Sequence, residues 1–179
     1  MKNPRAVLYS LILFLILLIL SVGDFSLRDE IKLPFENTIK GKAKVTDGDT
    51  IKVNGKKIRL SGIDAPESYY RGKKQTCYLN SEKIYCGDIA KKKLIEKIKN
   101  NSVSCKIEKE KDSFNRFLGE CFLKNENLSK FMVRSGYAFD FKKYSKNKYA
   151  KDEKYAKDNK LGFWKTKFEY PWVWRDKVR

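Results

Sequence analysis

Histidine is absent from all 179 residues of this chain, and its absence excludes several kinds of site at once. A Ser-His-Asp triad, a histidine general base and a Cys/His zinc site all need an imidazole ring. Any catalysis must therefore use carboxylates, Lys, Arg, Tyr, Cys, Ser or Thr, or a metal ion bound by oxygen ligands.

Acidic residues are also few compared with basic ones: 22 Asp and Glu stand against 40 Lys and Arg, which gives a net charge of +18. This excess predicts a polyanionic partner such as nucleic acid, an anionic membrane surface or an acidic glycan. The length suits one domain of ordinary size. Because 41% of the residues are hydrophobic and 13% aromatic, the chain can build a core, which excludes wholesale disorder.

The only long uncharged run lies at the N terminus. Residues 1–5 carry two basic side chains, and residues 6–23 carry no charge. This pattern predicts export, and two interpretations remain open: a cleaved signal peptide, or an N-terminal membrane anchor slightly shorter than the usual span of about 20 residues. We expect residues 24–39 to form a linker. The rest of the chain is then periplasmic, secreted or membrane-anchored outside the cytoplasm.

Four cysteines are compatible with export, since an even number in an oxidising compartment favours disulfides. Their spacing lacks the close pairs of a zinc site. We expect Cys77 to pair with Cys86 across a short loop, and Cys105 with Cys121 across two strands. Four buried free thiols are the alternative expected of a protein in a reducing compartment.

Short alternating segments and turn signals predict a barrel of five strands. The strands are expected at 43–45, 50–53, 58–60, 103–107 and 117–123, with a polar loop over 68–87. Helical periodicity predicts about three helices, over 89–100, from Asn127 onward and over 146–160. The expected fold class is therefore α+β: a five-stranded oligonucleotide-binding (OB) barrel over 40–165, followed by a packed C-terminal tail over 166–179.

Three local clusters could carry chemistry. Asp47-Gly48-Asp49-Thr50 is typical of a hairpin turn, but its carboxylates also suit a hard cation. Asp64-Ala65-Pro66-Glu67 fits a helix capping box, or a metal-binding carboxylate beside a general base. Arg59 and Arg116 lie on predicted strands, where an arginine is usually solvated; two together could instead bind a phosphoryl group in bidentate fashion.

Together these clusters resemble the staphylococcal-type thermonuclease family. The resemblance rests on the order and spacing of Val45–Thr50, Arg59–Glu67 and Asp112–Arg116, and on Gly136-Tyr137-Ala138 with the segment Glu153–Trp164. It covers about residues 40–165. It implies a Ca²⁺-dependent phosphodiesterase on an OB barrel that cuts DNA and RNA and leaves 3′-phosphates.

The resemblance also assigns a metal site. Asp49 and Asp64 correspond to the Ca²⁺-binding carboxylates, and the backbone carbonyl of Ala65 completes the set. The family often has Thr at the last position, but a carbonyl ligand does not depend on the side chain. Asp47 is expected beside the metal without binding it directly.

The catalytic assignments come from the same resemblance. Glu67 corresponds to the general base that activates water, and Arg59 and Arg116 to the phosphate-binding arginines. Two positions depart from the family pattern. Asn115 replaces a common Gly but tolerates a left-handed turn, and Phe114 replaces a frequent Tyr and so removes a hydroxyl group.

Two other functions remain open for such a chain. An exported OB-fold module could bind nucleic acid without cutting it, and a basic protein could bind a membrane surface. The second leaves the acidic clusters without a role. For the nuclease we expect DNA and RNA as partners, preferentially single-stranded, with membrane contact only through the N-terminal segment and a monomeric state.

Overall fold

The computed structural model describes residues 37–179. The predicted signal or anchor over 1–23 and most of the predicted linker lie outside the described residues. Within residues 37–179, no helix has both the length and the apolar character that a membrane crossing requires.

Ten strands occur in the described part of the chain. They are β1 (Thr38–Asp47), β2 (Thr50–Val53), β3 (Lys56–Leu60), β4 (Ile63–Asp64), β5 (Cys77–Leu79), β6 (Glu82–Ile84), β7 (Ser102–Lys111), β8 (Phe117–Leu123), β9 (Glu126–Asn127) and β10 (Phe139–Asp140). The main sheet has the order β3-β2-β1-β7-β8-β9, and β3 also pairs in parallel with β8. That extra pairing closes β1, β2, β3, β7 and β8 into the predicted five-stranded barrel, which confirms the α+β OB-type fold.

The β2–β3 hairpin shows how local sequence fixes the barrel. Asn54 and Gly55 form its two-residue turn, with φ of 47° and 79°. A turn with two positive φ values matches the twist of antiparallel strands, and Asn-Gly is the pair that adopts it most readily. The hairpin sets Thr50 opposite Arg59, so two residues of the candidate site are neighbours by register.

Five α-helices and one 3₁₀ turn surround the barrel in the described residues. They are α1 (Cys86–Ile98), α2 (Leu128–Arg134), α3 (Lys142–Ser145), α4 (Ala150–Asp158), the 3₁₀ turn (Gly162–Lys165) and α5 (Pro171–Val178). The predicted helix over 146–160 corresponds to α4 alone, which begins later than predicted, at Ala150; α3 precedes the predicted range. Lys146 and Asn147 have φ of 52° and 64°, and this left-handed backbone ends α3.

Both predicted disulfides are present. Cys105 and Cys121 are direct partners on β7 and β8, with Cα atoms 4.0 Å apart. Cys77 and Cys86 are joined with Cα atoms 5.7 Å apart, and link β5 to the start of α1. The predicted loop over 68–87 contains a small hairpin, β5–β6. Its turn uses Asn80-Ser81, both with positive φ, and this pair is a weaker turn signal than Asn-Gly.

Aromatic side chains attach the C-terminal tail to the barrel. Phe139 on β10 packs within 6.5 Å of the rings of Trp164, Phe168, Tyr170 and Trp172. The Trp172 ring also stacks on Phe141, with centroids 5.1 Å apart. These aromatic contacts pack the C-terminal segment on the barrel, and helix α5 has a fixed place beside β4.

Candidate functional site

The predicted metal-binding carboxylates lie side by side where three strands end. Asp49 is in the turn between β1 and β2, and Asp64 ends β4; the two side chains are at most 6% exposed. Asp49 accepts a hydrogen bond from the Thr50 hydroxyl at 2.8 Å and one from the Ala65 backbone N–H at 3.4 Å. The three predicted metal-binding residues therefore share one buried corner of the barrel.

Arg59 bridges the two aspartates. From β3 its Nη1 lies 2.5 Å from Asp49 Oδ2, and its Nη2 lies 2.6 Å from Asp64 Oδ1. Burial by itself would lower the pKa of this guanidinium, but the carboxylates of Asp49 and Asp64 raise it above its usual value. Arg59 is therefore a permanently charged group held in position by two buried carboxylates.

Arg116 reaches the same corner from the turn that precedes β8. Asp112 positions it: Oδ2 accepts from the Arg116 Nε at 2.7 Å, and Oδ1 accepts from the Arg116 backbone N–H at 2.9 Å. Arg116 Nη1 then donates to the Thr50 hydroxyl at 3.2 Å, and this hydroxyl in turn donates to Asp49. Asn115 has φ of 59°, the left-handed conformation expected when Asn replaces Gly.

Glu67 is fixed through its backbone. Gln75, fully buried, accepts from the Glu67 N–H through its side-chain oxygen at 3.1 Å, and its own N–H donates to the Glu67 carbonyl at 3.1 Å. Gly87, at the start of α1, packs directly against that carbonyl. Glu67 thus has a defined place although it lies in a loop.

The carboxylates of this corner perturb one another. Burial, with the charges of Asp49 and Asp47, raises the pKa of Glu67 to about 7, although Arg175 acts in the opposite direction. Burial and the charge of Asp49 likewise raise the pKa of Asp47 to about 6. A carboxyl that titrates near neutral pH is suited to act as a general base. The excess of carboxylates over the two arginines that contact them also favours a bound cation.

One residue of the site was not predicted from the sequence. Arg175, on α5, donates from Nη2 to Asp64 Oδ2 at 2.6 Å, and from Nη1 to Glu67 Oε1 at 2.6 Å and to Asp64 Oδ1 at 3.1 Å. The sequence predicts a packing tail for its segment, with base stacking by its aromatic residues as the alternative, because nothing local in the sequence places residue 175 beside residues 64 and 67. An arginine that follows an aromatic run was the only available signal.

The donor set fits Ca²⁺ in chemistry. Two aspartate carboxylates and a backbone carbonyl are hard oxygen ligands, which Ca²⁺ prefers. Within residues 37–179, no three Cys, Asp or Glu side chains converge as a ready metal cluster. Arg59 and Arg175 together contact both oxygens of Asp64, so guanidinium groups neutralise the carboxylates here.

A cleft of about 1110 Å³ opens over this corner. Arg59, Glu67 and Arg116 line it, together with Arg175. Aromatic side chains form much of its rim: Tyr69, Tyr70, Phe114, Phe141, Tyr144 and Trp172. Asp49 and Asp64 lie beneath the two guanidinium groups that line its floor. The structure therefore brings Arg59, Glu67 and Arg116 to one cleft that combines positive charge, a near-neutral carboxyl and aromatic surfaces. Asp49, Asp64 and Ala65 lie in the buried corner next to it.

Comparison with known proteins identifies a family whose sequences are similar to most of the barrel and the helices around it. Residues 57–166 match the family described as staphylococcal nuclease homologue. That range contains Arg59, Glu67 and Arg116, whereas Asp49 precedes it.

Individual relatives include proteins from a bacterium and from plants. The succinoglycan biosynthesis protein ExoI of Rhizobium meliloti is 30% identical over 135 residues, which cover 74% of this chain and 68% of ExoI. The probable staphylococcal-like nuclease CAN3 of Oryza sativa is 31% identical over 66% of this chain and 28% of its own length. The staphylococcal-like nuclease CAN1 of Arabidopsis thaliana is 28% identical over 69% of this chain and 34% of its own.

Proposed function

Because the chain belongs to the family of staphylococcal nuclease homologues, we propose that it is an exported, Ca²⁺-dependent nuclease that hydrolyses phosphodiester bonds of DNA and RNA. The observation that carries the proposal is the convergence of Arg59, Arg116 and the near-neutral carboxyl of Glu67 on one cleft. The family match supports a nucleic-acid substrate, and the positive charge of the chain is compatible with one.

The two arginines bind and stabilise the reacting phosphoryl group. Arg59 has five N–H donors, and its contacts with Asp49, Asp64 and the Ile63 carbonyl leave donors that can face the cleft. Arg116 reaches the cleft from the turn between β7 and β8, where hydrogen bonds with Asp112 position its side chain. Because in-line attack adds negative charge to the phosphoryl oxygens, two preorganised guanidinium groups stabilise the transition state more than the bound substrate.

Glu67 acts on the attacking water. As a carboxylate it accepts a proton from water in the cleft, and its pKa of about 7 leaves about half of it ionised at neutral pH. The contacts with Gln75 and Gly87 hold the backbone of Glu67 in place beside the cleft.

Asp49, Asp64 and the carbonyl of Ala65 would hold the Ca²⁺ ion. When bound, the ion supplies Lewis-acid stabilisation of charge on the phosphoryl oxygens.

Export and partners complete the proposal. Two disulfides are the form expected for a chain that folds in an oxidising compartment, which supports export through the N-terminal segment, as a signal peptide or as an anchor. A cleft with an aromatic rim suits unpaired bases, which can stack on such rings, so we propose single-stranded DNA or RNA as the preferred substrate. We further propose that the protein acts as a monomer.

The alternative is a non-catalytic module that binds nucleic acid in the same cleft. Cleavage and binding assays on the unmodified protein and on Glu67→Gln distinguish the two functions. In the nuclease, cleavage of single-stranded DNA falls by at least about 10²-fold, the lower range for loss of a positioned acid–base group, while binding persists. Glu126→Gln serves as the control, because this exposed carboxylate pairs with Lys97 outside the cleft. No cleavage by the unmodified protein in Ca²⁺, with binding intact, would favour the module.

A further inference from the structure

Arg175 occupies the coordination space of two carboxylates that the proposed reaction requires. Its guanidinium forms a bidentate pair with both oxygens of Asp64 and a further hydrogen bond with Glu67 Oε1. Only 17% of its side chain is exposed. A bidentate guanidinium–carboxylate pair of this kind is among the stronger hydrogen-bonded interactions in proteins.

The contact is part of a docked structural element. Helix α5 begins with Pro171 at its first turn, where a missing N–H costs nothing. Just before the helix, the Glu169 carbonyl accepts a hydrogen bond from Gln75 Nε2 at 2.8 Å. Trp174, next to Arg175, packs edge-to-face against Tyr70 with centroids 6.3 Å apart. The same Gln75 holds Glu67, so the loop of the proposed base and the C-terminal segment are joined by one side chain.

Charge explains why a cation is required at this position. Asp49 and Asp47 act on Glu67, Asp49 also acts on Asp47, and Asp64 shares Arg59 with Asp49 and Arg175 with Glu67. Among residues 37–179, Arg59 and Arg175 are the cations that pair directly with Asp49, Asp64 and Glu67. Arg59 contacts one oxygen of Asp64, and Arg175 contacts both. Three guanidinium hydrogen bonds thus occupy three of the roughly four acceptor positions of Asp64, so Arg175 competes directly with a divalent cation for this carboxylate.

We propose that Arg175 is a built-in competitor of the divalent cation: it holds Asp64 and Glu67 when the cation is absent, and it must be displaced for the cation to bind. This inference rests on the proposed function. Arg175 thereby sets the cation affinity of the site, and the C-terminal helix keeps the site closed at low cation concentration. After displacement the Arg175 guanidinium still lies in the same cleft, where it can donate hydrogen bonds to a phosphate of the substrate.

The test measures cation binding and needs no substrate. Titration calorimetry with CaCl₂ alone is carried out on the full chain and on Arg175→Gln. If the carboxylates are free of Arg175 in about one molecule in ten, the apparent dissociation constant is about tenfold weaker than the intrinsic one. We therefore expect Arg175→Gln to bind Ca²⁺ at least about tenfold more tightly than the unmodified protein.

Arg179→Gln is the matched control. Arg179 directly follows the same helix and lines the same cleft, but it pairs with Asp176 and does not contact Asp64 or Glu67. It therefore reports the general effect of removing one positive charge, which we expect to change the dissociation constant less than about twofold at 0.15 M salt, where exposed charges are screened. Equal affinities in the Arg175 and Arg179 variants, or weaker binding in Arg175→Gln, would overturn the competition.

A second variant covers the case in which Arg175→Gln does not fold. Lysine in Arg175→Lys keeps the charge but cannot form the bidentate pair, so its Ca²⁺ affinity should exceed that of the unmodified protein. An unchanged affinity would contradict the proposal.

Failure of the proposed function gives different results. Absence of Ca²⁺ binding in every variant refutes the cation site and the inference with it. Tighter binding without nuclease activity refutes the nuclease alone.

Discussion

Gly87→Ala tests whether the position of Glu67 matters for activity. A Cβ atom at residue 87 would lie 2.0 Å from the Glu67 carbonyl oxygen and 2.4 Å from the Ser68 nitrogen. Ordinary van der Waals contact begins at 3.4 Å, so the backbone around Glu67 must move by roughly 1.4 Å. Both atoms are backbone, and the Cys77–Cys86 disulfide and Gln75 hold the two sides of the contact.

The expected magnitudes follow from that displacement. Inserting a methyl group into a tightly packed contact costs typically about 1–3 kcal/mol of unfolding free energy. A shift of about 1 Å in a catalytic group can lower the rate by about 10²-fold. We therefore expect Gly87→Ala to fold with reduced stability and to cleave single-stranded DNA about 10²-fold more slowly.

Gly55→Ala separates the two effects. Gly55 has φ of 79° with no neighbour within 4 Å, so alanine there costs roughly 1–2 kcal/mol through backbone strain alone. Chemical denaturation and initial rates of cleavage are measured for both variants. The control should lose similar stability and keep its rate. A Gly87→Ala protein with a normal rate would refute the argument that Gly87 positions Glu67.

Two further predictions concern the barrel and its second arginine. Burial alone would raise the pKa of Asp112, but hydrogen bonds from Arg116 lower it below its usual 3.8. A lowered carboxyl pKa adds stability above the unfolded value, so Asp112→Asn should be destabilised at pH 7, and the difference should vanish as the pH falls below 3.8 in denaturation curves. Replacing Cys105 and Cys121 together by Ser should cost about 3 kcal/mol, since their bond closes a loop with a separation of 16 residues. Equal unfolding midpoints for oxidised native protein and this double variant would contradict that estimate.

The barrel could be predicted because its signals are local. Alternating segments and the Asn54-Gly55 turn give the strands, and their order leaves few ways to close a small barrel. The Cys105–Cys121 pair follows from strand parity, which brings the two residues face to face. The resemblance to a family, and not the spacing, supplied the roles of the site residues.

The remaining features depend on contacts between distant segments. Arg175 lies 111 residues from Asp64 in sequence, and the packing of Trp172 on Phe141 is part of what brings it there. No periodicity in residues 166–179 indicates that contact. The role of Gln75 is equally hidden, because a buried glutamine that holds two segments looks in sequence like any polar loop residue. The break between α3 and α4 depends on left-handed Lys146, a residue that normally favours helix.

The most direct test of the proposed nuclease is the cleavage of single-stranded DNA by the purified protein in Ca²⁺, before and after addition of excess chelator. The proposal predicts cleavage that stops on chelation and returns when Ca²⁺ is restored, because Asp49, Asp64 and the Ala65 carbonyl offer only oxygen ligands. Mg²⁺ should support it poorly, since that ion demands a smaller octahedral site. Undiminished cleavage in excess chelator would contradict the assignment of this site.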